Sequence, residues 1–186
     1  MDTDPAQLVL RLIPMILSLS FHEFAHAWAA KRFGDDTAER QGRLTLNPLA
    51  HIDFVGTILL PGMAAMTGLP SFGWAKPVPV NPSRFRRDVN MRRGFAWVSA
   101  AGPISNLVLA IVASALLALS QRAVHLGNGA ELLFSMLILT NVGLCLFNFL
   151  PIPPLDGSKI LPRRLDGFFE KLQPYANLLL MAVVMI

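Results

Sequence analysis

Apolar residues run through this chain in long blocks rather than alternating, and the blocks break at charged, glycine and proline positions. Leu8–Ala30 (LVLRLIPMILSLSFHEFAHAWAA) is the first, closed by Lys31, Arg32 and the helix-ending Gly34. Gly42–Ile52 alternates briefly around Asn47-Pro48 and reads as a strand or loop near an interface. Asp53–Leu69 is apolar, with a break predicted at Pro61-Gly62. Phe72–Pro82 (FGWAKPVPVNP) has prolines at 77, 79 and 82, which predict an extended, non-helical segment. A basic stretch, Arg84–Arg93, precedes Phe95–Leu119. Glu131–Leu150 follows and is stopped by Pro151, Pro153 and Pro154, which lead into Leu155-Asp156-Gly157. Gly157–Leu172 reads as an interfacial amphipathic segment. A last apolar stretch starts near Pro174 and stops at Ile186, too short to span, which points to a truncated C-terminal span.

A bilayer crossing takes about 20 helical residues at about 1.5 Å each. Residues 8–30, 95–119 and 131–150 meet that length. The pattern predicts an all-α polytopic membrane protein with three core transmembrane helices, a re-entrant or extended segment and a further C-terminal apolar helix. Composition agrees: 53% of residues are hydrophobic and 15% charged, against about 25% charged in soluble domains. Mean hydropathy is +0.50. At 186 residues the chain suits one membrane-embedded domain over 1–186. The lone Cys145 lies in an apolar run and reads as a packed small hydrophobe, so no disulfide framework exists.

The net charge of +4 does not indicate nucleic acid, because the basic residues sit in short loops between apolar blocks, where they set membrane orientation. If 53–69 dips into the membrane and returns, residues 31–94 and 151–173 share one side and carry 14 of the 16 basic residues. If it crosses, the division is 11 to 5. The first arrangement is the expected one. It places the N-terminus outside and the chemistry nearer the cytoplasmic face of the cell membrane. A signal peptide is rejected because Asp2 and Asp4 replace the basic n-region, and cleavage after the alanines would split the motif described next.

His22-Glu23-Phe24-Ala25-His26 carries the candidate chemistry. Residues four apart share a helix face, so the two histidines can hold one metal ion while Glu23 points at its open position. Ionisable groups inside an apolar span are costly, which marks them as functional candidates. Zinc needs a third protein ligand, and Asp156, an acid just past a proline break, is the leading candidate. Its rivals are Asp166 in a second Leu-Asp-Gly, better read as a solvated turn; His51 and Asp53, better read as hydrogen-bonded; and Glu131, on the opposite face. His125 reads as an exposed loop residue.

His22-Glu23-Phe24-Ala25-His26, Ala101-Gly102-Pro103 with Asn106, and Asn148-Phe149-Leu150-Pro151 running into Leu155-Asp156-Gly157 together resemble the site-2 protease family of intramembrane zinc metalloproteases. The match runs from the first span to about Leu161. The resemblance implies one zinc ion per chain, bound by His22, His26 and Asp156, with Glu23 as general base. It also implies a substrate or transition-state contact for Asn148, whose alternative is a helix-capping or interhelical hydrogen bond. For Gly102, Pro103 and Asn106, close packing with one polar contact is favoured over direct catalysis. The implied partner is a transmembrane protein substrate in a lipid bilayer, unwound by pairing with an extended segment, either Gly42–Leu46 or Phe72–Val80. Only about ten residues separate the spans ending at Leu119 and starting at Glu131, so no PDZ module fits there. Two competitors remain at this point. One is a prenyl-protein type membrane protease with a downstream glutamate ligand; the other is a non-catalytic zinc-binding or transport protein. The sequence does not define the oligomeric state or the natural substrate.

Overall fold

The structure is a computed structural model and describes residues 5–67, 74–124 and 126–176. His125 and the apolar residues 177–186, expected to form a C-terminal helix, lie outside the described residues. In chain order the helices are α1 (Pro5–Arg32), α2 (Thr37–Arg40), α3 (Leu60–Thr67), α4 (Met91–Leu119), α5 (Asn128–Asn148), α6 (Gly157–Ile160) and α7 (Asp166–Leu172). Among the described residues there is no β-strand.

Local chemistry sets the boundaries of the long helices. Gly34 ends α1 at φ +107°, where its N–H reaches the Lys31 carbonyl and the Asp35 N–H reaches the Ala30 carbonyl, both at 2.9 Å. This is a left-handed cap that a side chain would strain. Asn90 caps α4 by accepting the Arg93 N–H at 3.1 Å, so the helix starts four residues before the expected Phe95. The last arginines of the basic stretch therefore belong to its first turn.

α4 packs along both α1 and α5, and α5 also touches α1. The buried side of α4 is small, with Val98, Gly102, Ala110 and Ala113, whereas Trp97, Leu107, Val108 and Ile111 are exposed. Two helical stretches, Met91–Arg122 and Asn128–Asn148, are long and apolar enough to cross a membrane. Only 28% and 11% of their most apolar windows are buried, which is unlike the hidden core helix of a soluble fold. The third expected span, α1, has the length at 28 residues, but His22, Glu23 and His26 interrupt its apolar sequence.

One local expectation is corrected and two are made specific. Pro61-Gly62 does not break the chain: a π-helical stretch, Phe54–Leu59, runs straight into α3, which carries Pro61 as its second residue. Of the two readings of Gly42–Ile52, strand or loop, the structure has the loop, with a 3-10 turn at Pro48–Ala50. The segment Gly157–Leu172 folds as two short helices, α6 and α7, on either side of Leu161-Pro162.

The extended segment is present, with no regular structure over 74–81. Its first described residue lies back at the start of the preceding helix. The Trp74 N–H donates to the Gly56 carbonyl at 3.2 Å, and the Thr57 hydroxyl donates to the Trp74 carbonyl at 2.8 Å. A Cβ on Gly56 would fall 2.5 Å from the Trp74 indole, so only glycine admits this return.

Candidate metal centre

His22 and His26 lie one turn apart on α1, on the face that meets α4. Both are buried, with 5% and 8% of their surface exposed. Asp156 follows the proline-rich turn after α5 and is equally buried. His22 Nε2 and His26 Nε2 stand 3.2 and 3.1 Å from Asp156 Oδ2 and 3.0 Å from each other. Among the described residues, this is the cluster of histidine, cysteine and acidic side chains able to hold a metal ion. The other Asp156 oxygen, Oδ1, accepts from Lys159 Nζ at 3.0 Å, which leaves one oxygen turned to the histidines.

The outer partners decide what the inner nitrogens carry. His22 Nδ1 is 2.6 Å from Asn106 Oδ1, and His26 Nδ1 is 2.7 Å from the Val98 carbonyl. The Asn106 amide is oriented by its own neighbours: Nδ2 donates to Asn141 Oδ1 at 2.8 Å and to the Ser18 carbonyl at 3.3 Å, so Oδ1 must accept. Asn141 Nδ2 in turn donates to the Ser18 hydroxyl and the Leu137 carbonyl. Both histidines therefore spend their proton on Nδ1, and each Nε2 presents a bare lone pair. Two lone pairs and a carboxylate oxygen converge within 3.2 Å, an arrangement that repels itself unless a cation sits among them.

That donor set fits zinc. Ligand atoms at about 2.0–2.1 Å on tetrahedral vertices stand about 3.3 Å apart, close to the separations observed here. A second observation agrees. A Cβ placed on Gly102 of α4 would lie 2.4 Å from His26 Nε2 and 2.6 Å from His22 Nε2, so α4 leaves open a space that even a methyl group would fill. Gly157 bears on Asp156 in a similar way: a Cβ there would lie 2.3 Å from the Phe149 carbonyl, and the tight turn that presents Asp156 would have to open.

Glu23 is buried beside His22, and its Oε2 accepts the Val78 N–H at 2.9 Å. The extended segment thus passes over the motif helix and holds the motif carboxylate. Asn148 Nδ2 donates at 3.0 Å to the Leu144 carbonyl one turn back in α5. Gly102 packs closely as expected, but Asn106 makes more than the one polar contact expected: it bonds His22, Asn141 and the Ser18 carbonyl. The rivals of Asp156 are engaged elsewhere. Asp53 Oδ1 caps the turn at Gly56, His51 Nε2 bonds the Thr45 carbonyl, and Glu131 Oε1 accepts from the Ser120 hydroxyl. The Asp166 side chain lies outside those described.

Sequence reasoning did not single out Asn141, Ser18 or Arg43. Asn141 had a usable signal, a lone amide within the apolar run LILTNVGLCLF. A side chain that costly in such a place needs partners.

Comparison with known proteins places the chain in a family. The model for peptidase family M50 matches residues 10–186. The Bacillus subtilis protein named "Putative zinc metalloprotease YwhC" is 44% identical over 155 residues, covering 81% of this chain and 66% of that protein. Two mycobacterial proteins named "Putative zinc metalloprotease Rip2" are each 33% identical. The one from Mycolicibacterium smegmatis is matched over 85% of this chain and 58% of its own length, and the one from Mycobacterium tuberculosis over 82% and 56%. The chain thus spans two thirds or less of the relatives it matches. No solved structure matches it. With the family model covering nearly the whole chain, the chain belongs to peptidase family M50.

Proposed function

We propose that this chain is a membrane-embedded zinc metalloprotease that hydrolyses peptide bonds of membrane-anchored proteins within or near their spans. The observation that carries the reading is the set of three buried acceptors, His22 Nε2, His26 Nε2 and Asp156 Oδ2, with both outer histidine nitrogens already committed. His22, His26 and Asp156 would hold the ion. When bound, zinc supplies Lewis-acid activation of a water and of the scissile carbonyl. Asn106 and the Val98 carbonyl fix the two rings in the tautomer that ligation needs. Glu23 is the general base: its carboxylate takes the proton of the attacking water and delivers it to the leaving amine. Asn148 would help hold the substrate or its developing oxyanion, for which its Nδ2 must leave the Leu144 carbonyl.

The membrane setting is supported by the exposed apolar faces of α4 and α5. Gly102 lies nine residues beyond Arg93, or about 14 Å along the helix axis. With that arginine at the interface, the site sits within a hydrocarbon layer about 30 Å thick. The return of the chain from α3 to Gly56 at Trp74 supports the arrangement in which 53–69 dips and comes back. That arrangement puts the N-terminus outside and the site nearer the cytoplasmic face. Of the two extended segments proposed to pair with substrate, 74–80 lies over the site. Its inner edge at 74, 76 and 78 is already bonded to the protein, and Pro77 and Pro79 remove donors from the other edge. Substrate pairing there needs one of these internal bonds to yield.

The test is purified full chain in lipid vesicles with a panel of model single-span substrates, the products being mapped by mass spectrometry. Cuts within or near the substrate span are expected. Zinc-loaded protein that cuts none of the panel, or only soluble peptides, contradicts the reading.

A further inference from the structure

Arg43 is buried, with 6% of its surface exposed, and none of the ion pairs among the described residues includes it. A guanidinium removed from water needs its donors satisfied. Backbone carbonyls meet that need at the two Nη groups: Nη1 donates to Ala50, and Nη2 donates to Lys76 and, at 3.2 Å, to Pro77, while the buried Nε has no partner among the described residues. Gly42, at φ +67°, turns the chain inward after α2 so that Arg43 can reach them. The planar fork of arginine can serve two chain segments at once, which an ammonium does less well.

The two carbonyls on the extended segment immediately precede Val78, whose N–H is held by Glu23 Oε2. Pro77 and Pro79 have no N–H, so Val78 supplies the one donor between Lys76 and Val80. The segment is pinned again on either side. The Lys76 N–H donates to the His51 carbonyl at 2.9 Å, and the Asn81 N–H to Asp35 Oδ2 at 2.6 Å. Arg43 therefore fixes the peptide plane that aims a donor at the motif carboxylate.

We infer that Arg43 is a positioning residue for Glu23, acting through the Lys76 and Pro77 carbonyls and the Val78 N–H; its catalytic consequence rests on Glu23 being the general base, as proposed above. Its hydrogen bonds run to backbone carbonyls and not to His22, His26, Asp156 or Glu23.

The experiment uses the full zinc-loaded chain and has two arms. In the first, amide hydrogen exchange is followed in the 76–79 peptide, whose two prolines leave only the Lys76 and Val78 amides. Arg43→Gln is expected to speed Val78 exchange at least 10-fold while zinc stays at one per chain; unchanged protection overturns the inference. The second arm is a double-mutant cycle on substrate cleavage. Arg43→Gln should lower kcat about 10-fold with KM nearly unchanged, and should cost less than 2-fold more in a Val78→Pro background. Independent, multiplying losses, or a loss carried by KM, overturn it. If wild type cleaves nothing, the proposed activity fails, while the exchange arm still decides whether Arg43 holds Val78. Should Arg43→Gln not accumulate, Arg43→Lys carries both arms, with intermediate losses expected and wild-type behaviour overturning the inference.

Discussion

Gly102→Ala should destroy zinc binding while leaving the helices in place, and the structure sets the size of the effect. The added Cβ would stand 2.4 Å from His26 Nε2, about 1 Å inside ordinary contact, and 2.6 Å from both Cε1 and Nε2 of His22. The clash cannot be absorbed by a flexible chain end. Both rings are pinned at Nδ1, one by Asn106 and one by the Val98 carbonyl, which itself lies on α4. A displacement of about 1 Å far exceeds the roughly 0.2 Å that zinc–ligand distances tolerate. Loss of an outer-shell partner typically costs 10–100-fold in metal affinity, so a direct intrusion on two ligands should cost more than about 100-fold. The assay is competition for zinc with a chromophoric chelator on detergent-purified protein, with total metal measured alongside. Gly143→Ala in α5 is the control, because nothing lies within 4 Å of its Cβ position; it should bind zinc as wild type does. Wild-type zinc affinity in Gly102→Ala would refute the idea that α4 closes against the ligand nitrogens.

Other substitutions separate the remaining parts of the site. Asn106→Leu removes the acceptor for His22 and strands the Asn141 Oδ1 partner, so zinc affinity should fall about 10–100-fold; equal affinity by the same competition assay would detach Asn106 from the site. Asp156→Ala should abolish stoichiometric zinc, whereas Glu131→Ala, whose carboxylate bonds Ser120, should keep it; metal analysis decides, and the reverse result would favour a glutamate-ligated centre. Val78→Pro deletes the N–H that Glu23 accepts, and should lower cleavage at least 10-fold with zinc retained; equal loss of both would make the segment purely structural. Chelation should lower the thermal midpoint, which should fall with the logarithm of the free zinc concentration while that stays above Kd, since a ligand bound only to the folded state stabilises by mass action; an unmoved midpoint would mean that the site is not loaded.

Much of the centre was legible because its residue types are expensive where they occur. Two histidines and a glutamate at helical spacing inside an apolar run demand a shared purpose, and an aspartate after a proline break demands a partner. The glycines were visible as motif members, but their reason was not: only packing shows that Gly102 faces the histidine nitrogens and Gly157 the Phe149 carbonyl. Asn141 could have been found from its cost alone. Arg43 could not, because its partners are backbone carbonyls and no residue type or spacing announces them. Pro61-Gly62 misled for a related reason. A proline's effect depends on the backbone it meets, and here a π-helical stretch leads directly into it, which no residue type announces. The extended path of 74–81 followed directly from its prolines, whereas its contact with Glu23 required the fold.

The most direct test of the account compares wild type with Glu23→Gln at equal zinc content, on one model transmembrane substrate in lipid vesicles. Glutamine retains an acceptor oxygen for the Val78 N–H but cannot take up the water's proton. The account predicts one zinc per chain in both proteins and cleavage by wild type alone. Cleavage by Glu23→Gln at the wild-type rate, with zinc bound, would contradict it.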